Sequence, residues 1–168
     1  MNNDYEKIVF RSIGIIRSPF KDRKGMPIQP PGAKGVKGEV VLDPSLREGL
    51  KDLEGFSHIF LIYHFHCNEG YRLTVTPFMD NAERGLFSTR APCRPNPLGL
   101  SVVRLVEVRD NVLKIEDVDI IDGTPLLDIK PFVPFFDVTC DKYEVGWLEG
   151  RRREVDEKRA DARFKGRE

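Results

Sequence analysis

Short apolar segments rich in β-branched residues recur along this chain, with little room for helices between them. That rhythm constrains the fold more than any other feature, because alternating strands and helices would need longer spacings. Residues 8–16 and 38–42 read as strands. Residues 57–66 form a nearly unbroken apolar and aromatic run, expected to be a central strand buried on both faces. Residues 71–76 alternate and read as another strand. Residues 100–109 and 112–121 are parted only by Asp110-Asn111, a hairpin signal. A short helix is expected over 44–53, after its Asp-Pro start, and the highly charged residues 147–168 are also expected to be helical. The chain is therefore predicted to be mainly β, a single-domain β-barrel with a few peripheral helices. No Gly-x-Gly-x-x-Gly follows a strand and no βαβ rhythm occurs, which argues against a doubly wound nucleotide-binding sheet.

At 168 residues the chain is expected to be one domain, 1–168, with a core over about 8–146 and the charged tail over 147–168. Lys plus Arg equals Asp plus Glu at 27 each, so the formal net charge is zero. A strong non-specific grip on nucleic acid needs many uncompensated cations, and this balance disfavours it while leaving room for a local basic patch at Arg84, Arg90, Arg94 and Arg104. No apolar run approaches membrane-spanning length, and no signal peptide precedes the first strand-like segment. Cys67, Cys93 and Cys140 are odd in number and far apart, which fits a reducing, cytoplasmic compartment better than a disulfide framework.

Two loops carry the chemistry. Between Arg84 and Ser101 stand Arg84, Arg90 and Arg94, stiffened by Pro92, Pro95 and Pro97. A guanidinium held still can grip a carboxylate or phosphate through two parallel hydrogen bonds. Beyond it, Asp122-Gly123-Thr124-Pro125 reads as a turn in which Gly123 permits close backbone approach. Asp128 and Lys130 lie two apart and share a face, as a local ion pair would. A third segment, 18–37, is loaded with Pro, Gly and Lys, and so long a loop suggests a ligand role.

The histidines invite a metal reading. His58, His64 and His66 share strand parity and would face one way. His58 and His66 would lie about 26 Å apart at ~3.3 Å per residue, too far for one ion, and no cysteine or carboxylate is placed to complete a shell. No metal is expected.

The segments RAPCRPNPLGLS (90–101) and DGTPLLDIKPFVP (122–134) resemble the signature stretches of the TsaA-like, or TrmO-type, family. The opening IGIIRSPFKDRKGMPIQPPGAKGVKGEV, the segment LEGFSHIFLIYHFH and the tail RADARF are similar to that family too. The resemblance spans about residues 12–165. It implies a single-sheet barrel with peripheral helices, a homodimer, and S-adenosyl-L-methionine as cofactor. It implies methylation of N6 of adenosine 37 in tRNA, with a threonylcarbamoyl group on that N6. A cofactor-binding module or sensor without transferase activity is the alternative. Residue by residue, it implies Arg90 as a contact to the cofactor's carboxylate or another polar edge, and Leu100 as an apolar wall for its adenine. Asp122, Gly123, Thr124 and Pro125 would border the cofactor, their amides bonding its ribose or adenine edge. His66 and Cys67 would line the site from a strand end. Pro31, Gly32 and Ala33 would touch the cofactor as well, with the register open by about one residue because of an extra proline. Asp122, Asp128 and His66 stay open as proton acceptors with Asn96 as an orienting group, and Arg94 and Asn96, their roles not separated, stay open as contacts to the methyl acceptor.

Overall fold

The computed structural model describes residues 6–140 and 142–164. Its strands are β1 (Gly14–Arg17), β2 (Lys37–Leu42), β3 (His58–His64), β4 (Thr74–Val75), β5 (Arg84–Gly85), β6 (Leu98–Arg109), β7 (Val112–Glu116) and β8 (Thr124–Pro131). Six of them close into an antiparallel barrel in the order β1-β2-β7-β6-β3-β8, while β4 and β5 pair as a separate ribbon. Closure leaves no free edge, so short strands suffice.

Alternation fills the barrel. In β3, Ile59, Leu61 and Tyr63 point inward; in β6, Gly99, Ser101, Val103 and Leu105 do. They meet Ile16, Val40, Leu113, Ile115 and Leu126 in one core. Tyr63 stands opposite Gly99 in the β3–β6 register, and Leu61 opposite Ser101. A bulge in β8 lies between the pairs Ile62–Asp128 and Tyr63–Leu126 and re-aims the strand near the same end of the barrel. The hairpin at Asp110-Asn111 joins β6 to β7, with Asp110 at a left-handed φ of 54°.

Several expectations change. β1 covers only Gly14–Arg17; Ile8, Val9 and Phe10 precede it, exposed and outside the ladder, because β2 and β8 reach no further along it. β3 is fully buried on one face only; Phe60, Ile62 and His64 are partly covered. Residues 71–76 contribute just β4. Residues 44–53 form a 3-10 turn over Pro44–Leu50, whose first residues are held by the Asp43 side chain on the Ser45 amide, with a second turn over Leu53–Gly55. β7 stops at Glu116, and 117–123 crosses to β8 as irregular chain. The only α-helices among the described residues are single turns, α1 (Pro134–Asp137) and α2 (Glu154–Glu157), so the tail is not a continuous helix. Residues 165–168 of that expected helix lie outside the described residues.

The tail instead works as a clasp. Pro27 and Arg159 form a β-bridge, flanked by Gly25 N–H to Ala160 O at 2.9 Å and Ala160 N–H to Met26 O at 2.9 Å. Arg163 donates to Pro77 O at 2.6 Å, and Phe164 packs edge-on to Phe78 at 5.0 Å. Arg23 donates to the carbonyls of Cys67 and Phe164, joining the 18–37 loop to the strand end and the tail. Arg84 forks onto Asp80 Oδ2 at 2.7 and 2.8 Å, Arg151 approaches Oδ1 at 3.6 Å, and the Trp147 ring lies 5.7 Å from the Arg84 guanidinium. Charge-assisted bonds of this kind reinforce the small apolar cluster of Val75, Leu86 and Ala91, against which Phe164 packs.

Candidate active site

Those loops and the tail surround a cavity of about 1560 Å³. Pro30, Arg90, Leu100, Thr124, His66 and Phe164 mark its sides. One small ligand usually occupies about 300–1,000 Å³, so this space suits two reactants side by side.

Of the residues expected at a cofactor site, Pro31, Gly32, His66, Cys67, Arg90, Leu100 and Thr124 line the cavity. Ala33 is buried behind it. Arg90 is exposed and donates through Nη1 to Gln29 Oε1 at 2.8 Å; it makes no other hydrogen bond among the described residues, which leaves most of its fork available. Leu100 is 48 % exposed, an apolar ledge on β6. His66 Nε2 sits 3.1 Å from Cys67 Sγ, and partial burial, the leading cause, holds the imidazole below its usual range.

Asp122, Gly123 and Pro125 do not line the cavity, and the amides expected to meet a ligand are already engaged. Asp122 N–H donates to Phe20 O at 2.8 Å, Gly123 N–H to Ile16 O at 2.9 Å and Thr124 N–H to Ile121 O at 3.3 Å. Gly123 serves the turn itself, at φ 78° with open space where a Cβ would stand, rather than a close approach. The Asp122 carboxylate accepts Lys21 Nζ at 2.5 Å and the Ser18 amide at 3.0 Å, and these bonds hold it below the usual carboxylate range. Asp128 pairs with Lys130 at 2.8 Å, away from the cavity, and Asn96 is exposed outside it. Arg94 lines the cavity, but its Nη1 bonds Thr89 O at 3.0 Å and Ala91 O at 3.3 Å, bracing its own loop. His58 and His64 lie on β3 and His66 beyond its end; among the described residues no group of three metal-ligating side chains comes together.

Two cavity residues have no place in the expected set. Asn68 Nδ2 is buried without a hydrogen-bond partner among the described residues. A buried orphan donor costs about 1–3 kcal/mol, so a polar ligand atom there would relieve it. The second is Asp119. Ser101 Oγ donates to its Oδ1 at 2.8 Å, and Tyr63 Oη lies 3.0 Å from Ser101 Oγ. A serine hydroxyl has one hydrogen, so with Asp119 ionised the order of donation is Tyr63 to Ser101 to Asp119. Burial pushes the Asp119 carboxyl up to about 6, against the opposing pull of the Ser101 bond and the Arg90 charge. Burial, then the Asp119 charge, pushes the Tyr63 phenol up, keeping it a neutral donor.

Residues 15–138 match the family described as the tRNA-methyltransferase O N-terminal domain. The chain belongs to this family. A relative from Pyrococcus abyssi, named "Probable S-adenosyl-L-methionine-binding protein", is 55 % identical over 157 residues, covering 94 % of this chain and 85 % of its own. A second, from Escherichia coli, is named tRNA (adenine(37)-N6)-methyltransferase; it is 42 % identical over 136 residues, covering 75 % of this chain and 58 % of that protein. The crystal structure of TrmO from Pseudomonas aeruginosa superposes with a TM-score of 0.70 at 36 % identity, covering 84 % of this chain and 63 % of that one. The chain thus spans less than two thirds of the Escherichia and Pseudomonas proteins.

Proposed function

We propose that this TrmO-type chain is an S-adenosyl-L-methionine-dependent methyltransferase acting on N6 of adenosine 37 in tRNA, and that the adenosine it accepts carries an N6-threonylcarbamoyl group. One observation carries the proposal: a single cavity large enough for two reactants holds a half-free arginine, an apolar ledge, an orphan amide donor and a raised carboxyl.

The residues present fit the cofactor. Arg90 would bind its carboxylate, Asn68 Nδ2 would donate to a polar edge, and Leu100 would cover the adenine. Pro31, Gly32, His66, Cys67 and Thr124 would complete the walls, with Ala33 behind them. The bound cofactor supplies a methyl group on a positively charged sulfur. The protein's share is to orient two reactants and exclude water, which removes several kcal/mol of barrier, about 7–11 in the best-oriented cases. The tail from Trp147 to Phe164 forms one side of the cavity and serves that exclusion.

A homodimer and a cytoplasmic location belong to the same proposal. Phe135 and Phe136, 77 and 68 % exposed, offer apolar surface for a second subunit. Among the described residues no helix is long and apolar enough to cross a membrane. The name of the Pyrococcus relative favours a second reading, cofactor binding without transfer. One assay separates the two. The protein is incubated with methyl-labelled cofactor and tRNA with or without the N6-threonylcarbamoyl group. Label only on the modified tRNA supports the full proposal, and label on both removes the threonylcarbamoyl requirement. Cofactor binding with label on neither supports the second reading.

A further inference from the structure

We propose that Asp119 is the proton acceptor of this site: its carboxylate takes the N6 proton of the target adenine as the new nitrogen–carbon bond forms, with Ser101 and Tyr63 as positioning residues. The inference rests on the methyltransferase reading above and adds the group that makes N6 a competent nucleophile.

The N6 lone pair is delocalised into the ring, and more so when N6 is part of a urea-like group. Attack therefore needs an acceptor within reach of the N6 hydrogen. In a balanced step that proton passes to Asp119 as the nitrogen pair bonds the methyl carbon, and the carbon–sulfur pair stays on sulfur as a neutral thioether. Asp119 then loses its proton to water.

Among the described residues four carboxylates line the cavity, and their surroundings separate them. Asp161 is forked by Arg163 through three contacts of 2.7–3.0 Å. Asp117 accepts the Gly35 amide at 2.7 Å and Asp156 is exposed on α2. Asp119 sits against the inward faces of β3 and β6, and its Oδ1 takes the Ser101 bond. The Ser101 bond fixes Oδ1, as a positioned base requires. Neighbouring Val118 and Ile120 are both buried, 0 and 2 % exposed, so the backbone beside Asp119 is pinned.

The groups facing Asp119 are the neutral Tyr63 phenol from β3, Ser101 from β6 and Arg90 from the proline-stiffened loop. Among the described residues no lysine or histidine pairs with it, and its titration at about 6 sets it close to a working pH.

The test uses Asp119→Asn, Ser101→Ala and the wild type. Single-turnover transfer to a tRNA that the wild type methylates is followed from about pH 5 to about pH 8, bracketing the value near 6. Cofactor affinity is measured by calorimetry. Asp119→Asn should lose about 10²–10⁴-fold in rate while binding cofactor within a few-fold of wild type. The wild-type rate should fall on the acid side as Asp119 protonates, and Ser101→Ala should move that limb to higher pH, because the lost hydrogen bond favoured the ionised form. A readout without cofactor accompanies these. A carboxyl raised on folding loses stability as pH climbs from its unfolded value, 3.8, through its folded value, so the melting temperature of Asp119→Asn should gain on wild type between about pH 4 and about pH 7 and level off above.

An Asp119→Asn protein with the wild-type rate and pH profile overturns the assignment and leaves the methyltransferase reading intact. A wild type that binds cofactor but methylates no tRNA overturns both. If Asp119→Asn does not fold, Ser101→Ala decides: a moved acid limb supports the assignment, and an unmoved one contradicts it.

Discussion

The Tyr63 ring lies against Gly99, so close that a Cβ there would stand 2.1 Å from Tyr63 Cε2. The contact joins β3 to β6 and aims the phenol at Ser101, two residues along the same inward face. Leu-Gly-Leu-Ser is therefore a packing device: Gly99 makes room for the ring, Ser101 receives its hydroxyl, and Leu98 and Leu100 face outward.

Gly99→Ala should displace the ring and break the Tyr63–Ser101 contact. Overpacking a core costs about 1–3 kcal/mol, and in a chain of this size each kcal/mol lowers Tm by roughly 2–4 °C. Thermal unfolding should show a Tm several degrees lower. An unchanged Tm would mean that the ring is not held where it is seen.

Arg90→Ala and Asn68→Ala should both weaken cofactor binding in calorimetry, with different effects on the free protein. Losing a charge-assisted contact of about 1.5–3 kcal/mol predicts a roughly 10–100-fold weaker Kd for Arg90→Ala. Asn68→Ala removes a buried donor that has no partner among the described residues, so it should weaken binding without lowering the Tm of the unliganded protein. Unchanged affinity in both variants would place the cofactor elsewhere.

The clasp should weaken in acid. Hydrogen bonds from Arg84, first among the causes, pull Asp80 down to about 2. A carboxyl lowered on folding adds stability above its unfolded value, near 3.8, and that stability is lost as pH falls through the folded value. Asp80→Asn should therefore lower Tm at neutral pH, and the gap to wild type should narrow between about pH 4 and about pH 2. A gap that does not vary with pH in that window would contradict an ionic role.

The barrel was legible because alternation and hairpin chemistry are local: Asp110-Asn111 and the inward parity of β6 can be read from neighbours. Loop chemistry was not. Asp122 looked like a site residue by its turn, yet Lys21 and Ser18, a hundred residues away in sequence, claim its carboxylate. The tail looked helical from its charge, but Arg151 and Arg163 bond distant carbonyls, Arg151 approaches the Asp80 carboxylate, and Arg159 bridges Pro27 through its backbone, instead of supporting long helices. Asp119 carries no motif. Its one local signal is parity, since it lies between two buried aliphatics, Val118 and Ile120, in a segment that reads as strand.

The most direct measurement is a crystal structure of this chain with S-adenosylhomocysteine, the cofactor after methyl loss. The proposed site predicts its carboxyl group on Arg90, its adenine over Leu100 and its sulfur on the cavity side of Asp119. Density outside that cavity, or none at saturating ligand, would contradict it.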